Sequence, residues 1–211
     1  MKRWRCIMVA ALLLGSSLKA EDSTRSWNFN VYLDDKPVGY HHFTLREQGA
    51  RRELQSSARF DVKVLFINAY QYVHEATEQW SGNCLQGLTS RTDDNGKKLS
   101  VVAQLQGAEL NVTNSQHRYT LPGCVMSFAY WNPAMLSQTR LLNAQTGEYD
   151  HVAIVDLGQA SISVRGAPQA SKHYRLTGSK LSIDLWYSGS GEWLALESTT
   201  ENGRRLRYVL S

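Results

Sequence analysis

The residues able to do chemistry in this chain are scattered, and their spacing argues against the common catalytic arrangements. The six histidines are His41, His42, His74, His117, His151 and His173. His41 and His42 are adjacent in an alternating segment, so they point to opposite faces of a strand and cannot share a metal ion from there. His74 falls on one face with Tyr70, Tyr72, Glu78 and Trp80, which suits a hydrogen-bonded strand histidine or a polar contact in an aromatic pocket. The paired carboxylates Asp34-Asp35 and Asp93-Asp94 sit in turn sequences, where aspartate is expected for local hydrogen bonding. Glu75 and Glu78 lie on opposite faces of one strand. There is no Gly-x-Ser-x-Gly elbow, no phosphate loop, no dinucleotide fingerprint and no His-Glu-x-x-His. No catalytic residue, metal ligand or cofactor is therefore assigned.

The aromatics carry more information. Phe128, Tyr130 and Trp131, flanked by Met126 and Met135, form a dense apolar stretch next to a helix-start signal. Such a mixture suits a cover over an apolar ligand, a plug in a barrel mouth, or simple filling of a curled sheet. Trp186 lies between Asp184 and Ser188 on an otherwise polar face, and Phe66 ends a strand that is apolar on both sides. Phe66, Phe128, Tyr130, Trp131, Met135 and Trp186 are the candidate ligand-binding residues.

The elements that must position these groups are strands. Trp27, Phe29, Val31 and Leu33 alternate with polar residues, as do Ala58, Phe60, Val62 and Val64, and later Leu181, Ile183, Leu185 and Tyr187. Asp93-Asp94-Asn95-Gly96 is a strong hairpin turn, because Asn-Gly accepts the positive φ of a type I′ turn. The pattern gives 11–13 short antiparallel strands in a meander that curls into an incomplete barrel. One helix is expected over residues 134–142, capped by Asn132 with Pro133 in its first turn and laid against the concave side. Nothing splits the rest of the chain, so residues 21–211 are read as one β-rich domain.

Residues 1–20 read as a secretory signal. Lys2, Arg3 and Arg5 precede an apolar run from Ile7 to Leu14, and Ala20 offers a cleavage site. Export to the periplasm, or to another extracytoplasmic space, follows as an expectation. With the leader gone the chain carries 19 basic and 19 acidic residues, which removes the case for nucleic-acid binding that the whole-chain pI suggests. No remaining run is long enough to span a membrane as a helix. Two cysteines remain, Cys84 and Cys124, either as one disulfide closing a loop of about 40 residues or as two buried thiols.

Residues Leu121-Pro122-Gly123-Cys124-Val125-Met126-Ser127-Phe128-Ala129-Tyr130-Trp131-Asn132-Pro133 and 141–147 resemble an uncharacterised family of bacterial exported proteins known only as a domain of unknown function. Residues 34–39 and 62–70 look like its other recurring segments. More loosely, Tyr174–Gly178, Ile183–Tyr187 and Trp193–Leu196 are similar to periplasmic half-open barrels of the lipoprotein-carrier kind. The resemblance implies an incomplete barrel and brings no activity. The leading functional expectation is a periplasmic, non-enzymatic protein that binds a lipid, acyl chain or other apolar small molecule, with the helix as its gate. The alternatives are an envelope assembly module without a cavity, its protein partner unknown, and a hydrolase of envelope material using His41, His74 or His151.

Overall fold

A computed structural model describes residues 22–64, 67–179, 181–200 and 203–211. The leader and Phe66 lie outside the described residues. The N-terminal arm runs β1 (Ser23–Leu33), β2 (Lys36–Gln48), β3 (Arg51–Val64), β4 (Ile67–Ser81), β5 (Cys84–Asp94), β6 (Lys97–Gln106), β7 (Glu109–Asn114) and β8 (Arg118–Pro122). A connection then carries a 3-10 helix (Pro133–Ser137) and a small hairpin of β9 (Arg140–Leu142) and β10 (Tyr149–His151). The C-terminal arm is β11 (Ala153–Val164), β12 (Ala167–Thr177), β13 (Ser182–Tyr187), β14 (Trp193–Thr199) and β15 (Arg205–Leu210).

Both arms are antiparallel meanders, and β15 pairs with β1 to join them into one 13-stranded sheet with β11 and β8 at its edges. Alternation drives this arrangement. On β1 the residues Trp27, Phe29, Val31 and Leu33 are buried, and those between them face outward. A sheet this long with one apolar face must curl to cover it. The curl is incomplete, and the connection 123–152 crosses from one edge to the other. Because it leaves β8 and re-enters at β11, it has to bridge the gap, and it does so through the interior. Val125, Met126, Ala129, Trp131, Met135, Leu141 and Leu142 all join the main core.

The expected strands are present, and the expected helix is shorter than its sequence suggests. Asn132 does cap it, its side chain accepting the Ala134 N–H at 3.1 Å. The helix stops at Ser137, and Gln138 turns extended, with its N–H bonded to the Met135 carbonyl. Leu141 and Leu142 explain the change. Both are fully buried, and neighbouring residues cannot both lie at the centre of one helical stripe. As strand residues in the β9–β10 hairpin, with Ser127 bridged to Leu142, both are covered. β10 and β11 are separated at Val152, whose N–H bonds the Thr139 carbonyl and ties the hairpin to the start of β11.

Gly39 sits where β2 passes close to β3. Its φ is +153°, and a Cβ there would stand 1.9 Å from the Arg59 carbonyl oxygen. Gly39→Ala should therefore destabilise the fold by roughly 1–3 kcal/mol. Urea unfolding measures this, and an unchanged midpoint would contradict so close an approach of the two strands.

Candidate functional site

The connection is fastened to the N-terminal arm at successive points. Cys84 and Cys124 form a disulfide. The Leu85 N–H donates to the Val125 carbonyl at 2.9 Å. The Ser127 hydroxyl donates to Glu78, and the Asn132 amide donates to Asn83 at 3.1 Å. Further along, Tyr72 donates to the Gln145 side chain at 3.0 Å, Ser90 to the Ala144 carbonyl, and the Asn114 amide to the Thr146 carbonyl at 3.0 Å. On the other arm, the Tyr187 hydroxyl donates to the Tyr130 carbonyl at 2.8 Å.

Even with the connection in place, the buried residues do not form one continuous core. The main cluster takes in the connection, and a second, smaller cluster of Val31, Leu33, Val38, Ala58 and Phe60 sits apart from it. Tyr208 packs against both. The register of the strands explains the division. One cross-strand row on the inner face reads Phe29, His41, Ala58, His74, Thr92. The next reads Tyr208, Val31, Gly39, Phe60, Tyr72, Asp94. In the first row Ala58 is the small side chain between the rings of His41 and His74, so the wall is recessed at Ala58, whereas in the second row the space beside Gly39 is closed by the Arg59 carbonyl. The rings around the recess are in mutual contact. Phe60 stacks on Tyr72 at 5.1 Å and meets Tyr208 at 6.3 Å, and His41 lies 5.7 Å from Tyr208 and 6.5 Å from His74. Tyr130 comes in from the connection, 5.3 Å from Trp193 and 6.3 Å from Phe128.

The electrostatics of this region are those of a secluded space. Desolvation raises the hydroxyl pKa of Tyr72, Tyr130 and Tyr208. It pushes His74 down to about 4. His41 falls well below its usual value, first through desolvation and then through the neighbouring His74 and His42. Yet Tyr72, Tyr130, Tyr208, Phe128 and His41 each keep some accessible surface. The Tyr130 hydroxyl has no hydrogen-bond partner among the described residues. These deep groups therefore sit at the margin of the packed core and not wholly within it.

A second buried polar group lies nearby. Glu78 is 6% exposed, and its carboxyl accepts from Ser127 at 3.1 Å and from the Trp80 indole at 3.0 Å. Desolvation pushes its pKa up to about 7, against the lowering effect of those two bonds. This carboxyl latches the connection to β4. The inward position of Glu78 follows from strand alternation alone. Its bond to Ser127 needed the tertiary fold.

The candidate ligand-binding residues separate into groups. Phe128 and Tyr130 are half-buried and adjacent, with Tyr130 facing the recess. Trp131 is packed edge-on against Trp80 at 5.6 Å and lies under the Arg52 guanidinium, and Met135 is fully buried. Trp186 is half-buried, stacked on His173 at 4.6 Å and packed against the main core cluster. His41, Ala58 and Tyr208, not picked out as ligand-binding from the sequence, join Tyr72 and His74 at the recess. The histidines named for a hydrolase do not converge on an acid–base set. His74 bonds the Thr92 hydroxyl at 2.8 Å, His41 contacts Tyr208 at 3.3 Å, and His151 is exposed on β10.

The geometry defines an open, antiparallel, β-barrel-like protein whose two sheet edges are bridged from inside by a folded connection. The chain belongs to the family described as domain of unknown function DUF6134, whose model matches residues 29–211. Among solved structures it is similar to a β-barrel-like protein of domain of unknown function DUF1849 from Brucella abortus. That match has a TM-score of 0.64 at 10% identity and covers 88% of this chain and 94% of the other. The likeness is one of fold. No curated protein sequence matches the chain.

Proposed function

We propose that this protein is an exported binding protein that holds a small apolar or amphipathic molecule, of the lipid or acyl class, in the hollow of its open barrel. The observation that carries this reading is the divided core. Tyr72, Tyr130, Tyr208 and His41 lie deep between two apolar clusters and are still accessible. A mostly apolar recess with a few converging polar groups is the usual form of a small-molecule site. Tyr130 and Phe128 line it from the connection, while Trp131 and Met135 anchor that connection and hold Tyr130 in place. Export is supported by the leader-like residues 1–20 and by the Cys84–Cys124 disulfide, a bond that persists in oxidising compartments.

The test is fluorescence of the uncharged probe N-phenyl-1-naphthylamine with the purified protein. Saturable enhancement is expected, and it should fall at least tenfold in affinity when the recess is filled by Ala58→Phe. Tyr130→Trp fills the same space from the connection and should act in the same direction. Absence of saturable binding by the unmodified protein would reject the reading.

A further inference from the structure

We infer that the hollow selects ligands whose polar end is uncharged (an alcohol, ester or amide) over free carboxylates. This rests on the binding role proposed above and specifies its ligand. The polar atoms that converge there are the hydroxyls of Tyr72, Tyr130 and Tyr208, the Gln145 amide and the imidazoles of His41 and His74. Among the described residues the Tyr130 hydroxyl is unpartnered and the Tyr208 hydroxyl is engaged only through His41. These two can donate to, or accept from, an incoming hydroxyl or carbonyl oxygen.

None of these groups supplies a positive charge. The ionisable neighbours that perturb the tyrosines and histidines are one another, Tyr70, His42 and the carboxylate of Asp94, and no lysine or arginine is among them. The two histidines are held neutral by desolvation. A carboxylate brought into this space would lose its hydration without meeting a cation, and it would face Asp94 across Tyr72. A neutral head loses far less on desolvation and recovers it through the tyrosine hydroxyls. The apolar part of such a molecule has the partly buried rings of Tyr72 and Tyr208, and Leu206, to lie against beside the smaller cluster.

Displacement of bound N-phenyl-1-naphthylamine at pH 7.5 tests this, with 1-monopalmitoylglycerol and palmitate as competitors below their aggregation limits. The neutral lipid is expected to displace the probe at a concentration at least tenfold lower than palmitate. Lowering the pH toward the palmitate pKa should narrow the gap from the palmitate side. Equal potency at pH 7.5, stronger displacement by palmitate, or no displacement by either competitor while the probe binds would each overturn the inference and leave the binding role standing. Failure of the probe itself to bind removes both. Tyr130→Lys places a cation in the hollow and should shift the preference toward palmitate.

Discussion

A Cys84→Ser, Cys124→Ser double variant should lose about 4 kcal/mol of unfolding free energy. The disulfide closes a loop of 40 residues in sequence separation, and removing a cross-link of that span returns a large amount of freedom to the unfolded chain. Its position matters as much as its span. Cys124 stands just beyond β8 with a positive φ of 57°, where the chain turns off the sheet edge into the interior. Beyond it, the bonds Ser127–Glu78, Asn132–Asn83 and Tyr72–Gln145 continue the attachment. The variant should therefore still fold, keep its sheet signal in far-UV circular dichroism, and bind the neutral probe with little change. Urea denaturation gives the energy. A loss below about 1 kcal/mol would mean that those remaining bonds hold the connection without the staple. Loss of probe binding with the sheet intact would mean that the staple alone keeps Tyr130 at the hollow.

The sheet was legible in the sequence because strand alternation is a local property. Trp27 through Leu33 and Ile183 through Tyr187 each show their buried face without reference to any other element. The same alternation puts His41 and His42 on opposite faces and Glu78 on the inner one. Two things were hidden, for different physical reasons. Within the connection, residues 134–142 read as a helix because Asn132-Pro133 is a strong start signal, but the helix end is set by where Leu141 and Leu142 must be buried, and that depends on the far arm. The hollow was hidden because it is made by absence. Ala58 leaves a low point in the wall only once register sets it between His41 and His74. No window on a single strand contains that information. Tyr208 illustrates it best, since β15 pairing with β1 brings it beside His41, 167 residues away in the chain.

The pH dependence of stability should be governed by two buried groups that oppose each other. His74 has a folded pKa pushed down to about 4 from an ordinary 6.5. Its contribution is complete above pH 6.5 and is lost as the pH falls from there toward 4, about 3 kcal/mol in all. Glu78 has a folded pKa pushed up to about 7 from an ordinary 4.5. Its contribution is complete below pH 4.5 and is lost as the pH rises toward 7, again about 3 kcal/mol. Between pH 4.5 and 6.5 the two nearly cancel, and His41, shifted in the same direction as His74, leaves a net loss toward acid. Asp34 and Asp93 have lowered values and titrate below this window. Glu78→Gln removes the opposing carboxyl while keeping a group that can accept from Ser127 and Trp80. Its stability should therefore fall by about 2 kcal/mol more than that of the unmodified protein between pH 6.5 and 4.5. His74→Gln should act oppositely and flatten or reverse the acid loss. Urea unfolding at four pH values across the window separates these outcomes. Parallel curves for the unmodified protein and Glu78→Gln would show that the carboxyl is hydrated, and the connection would then not be sealed against β4 at Ser127.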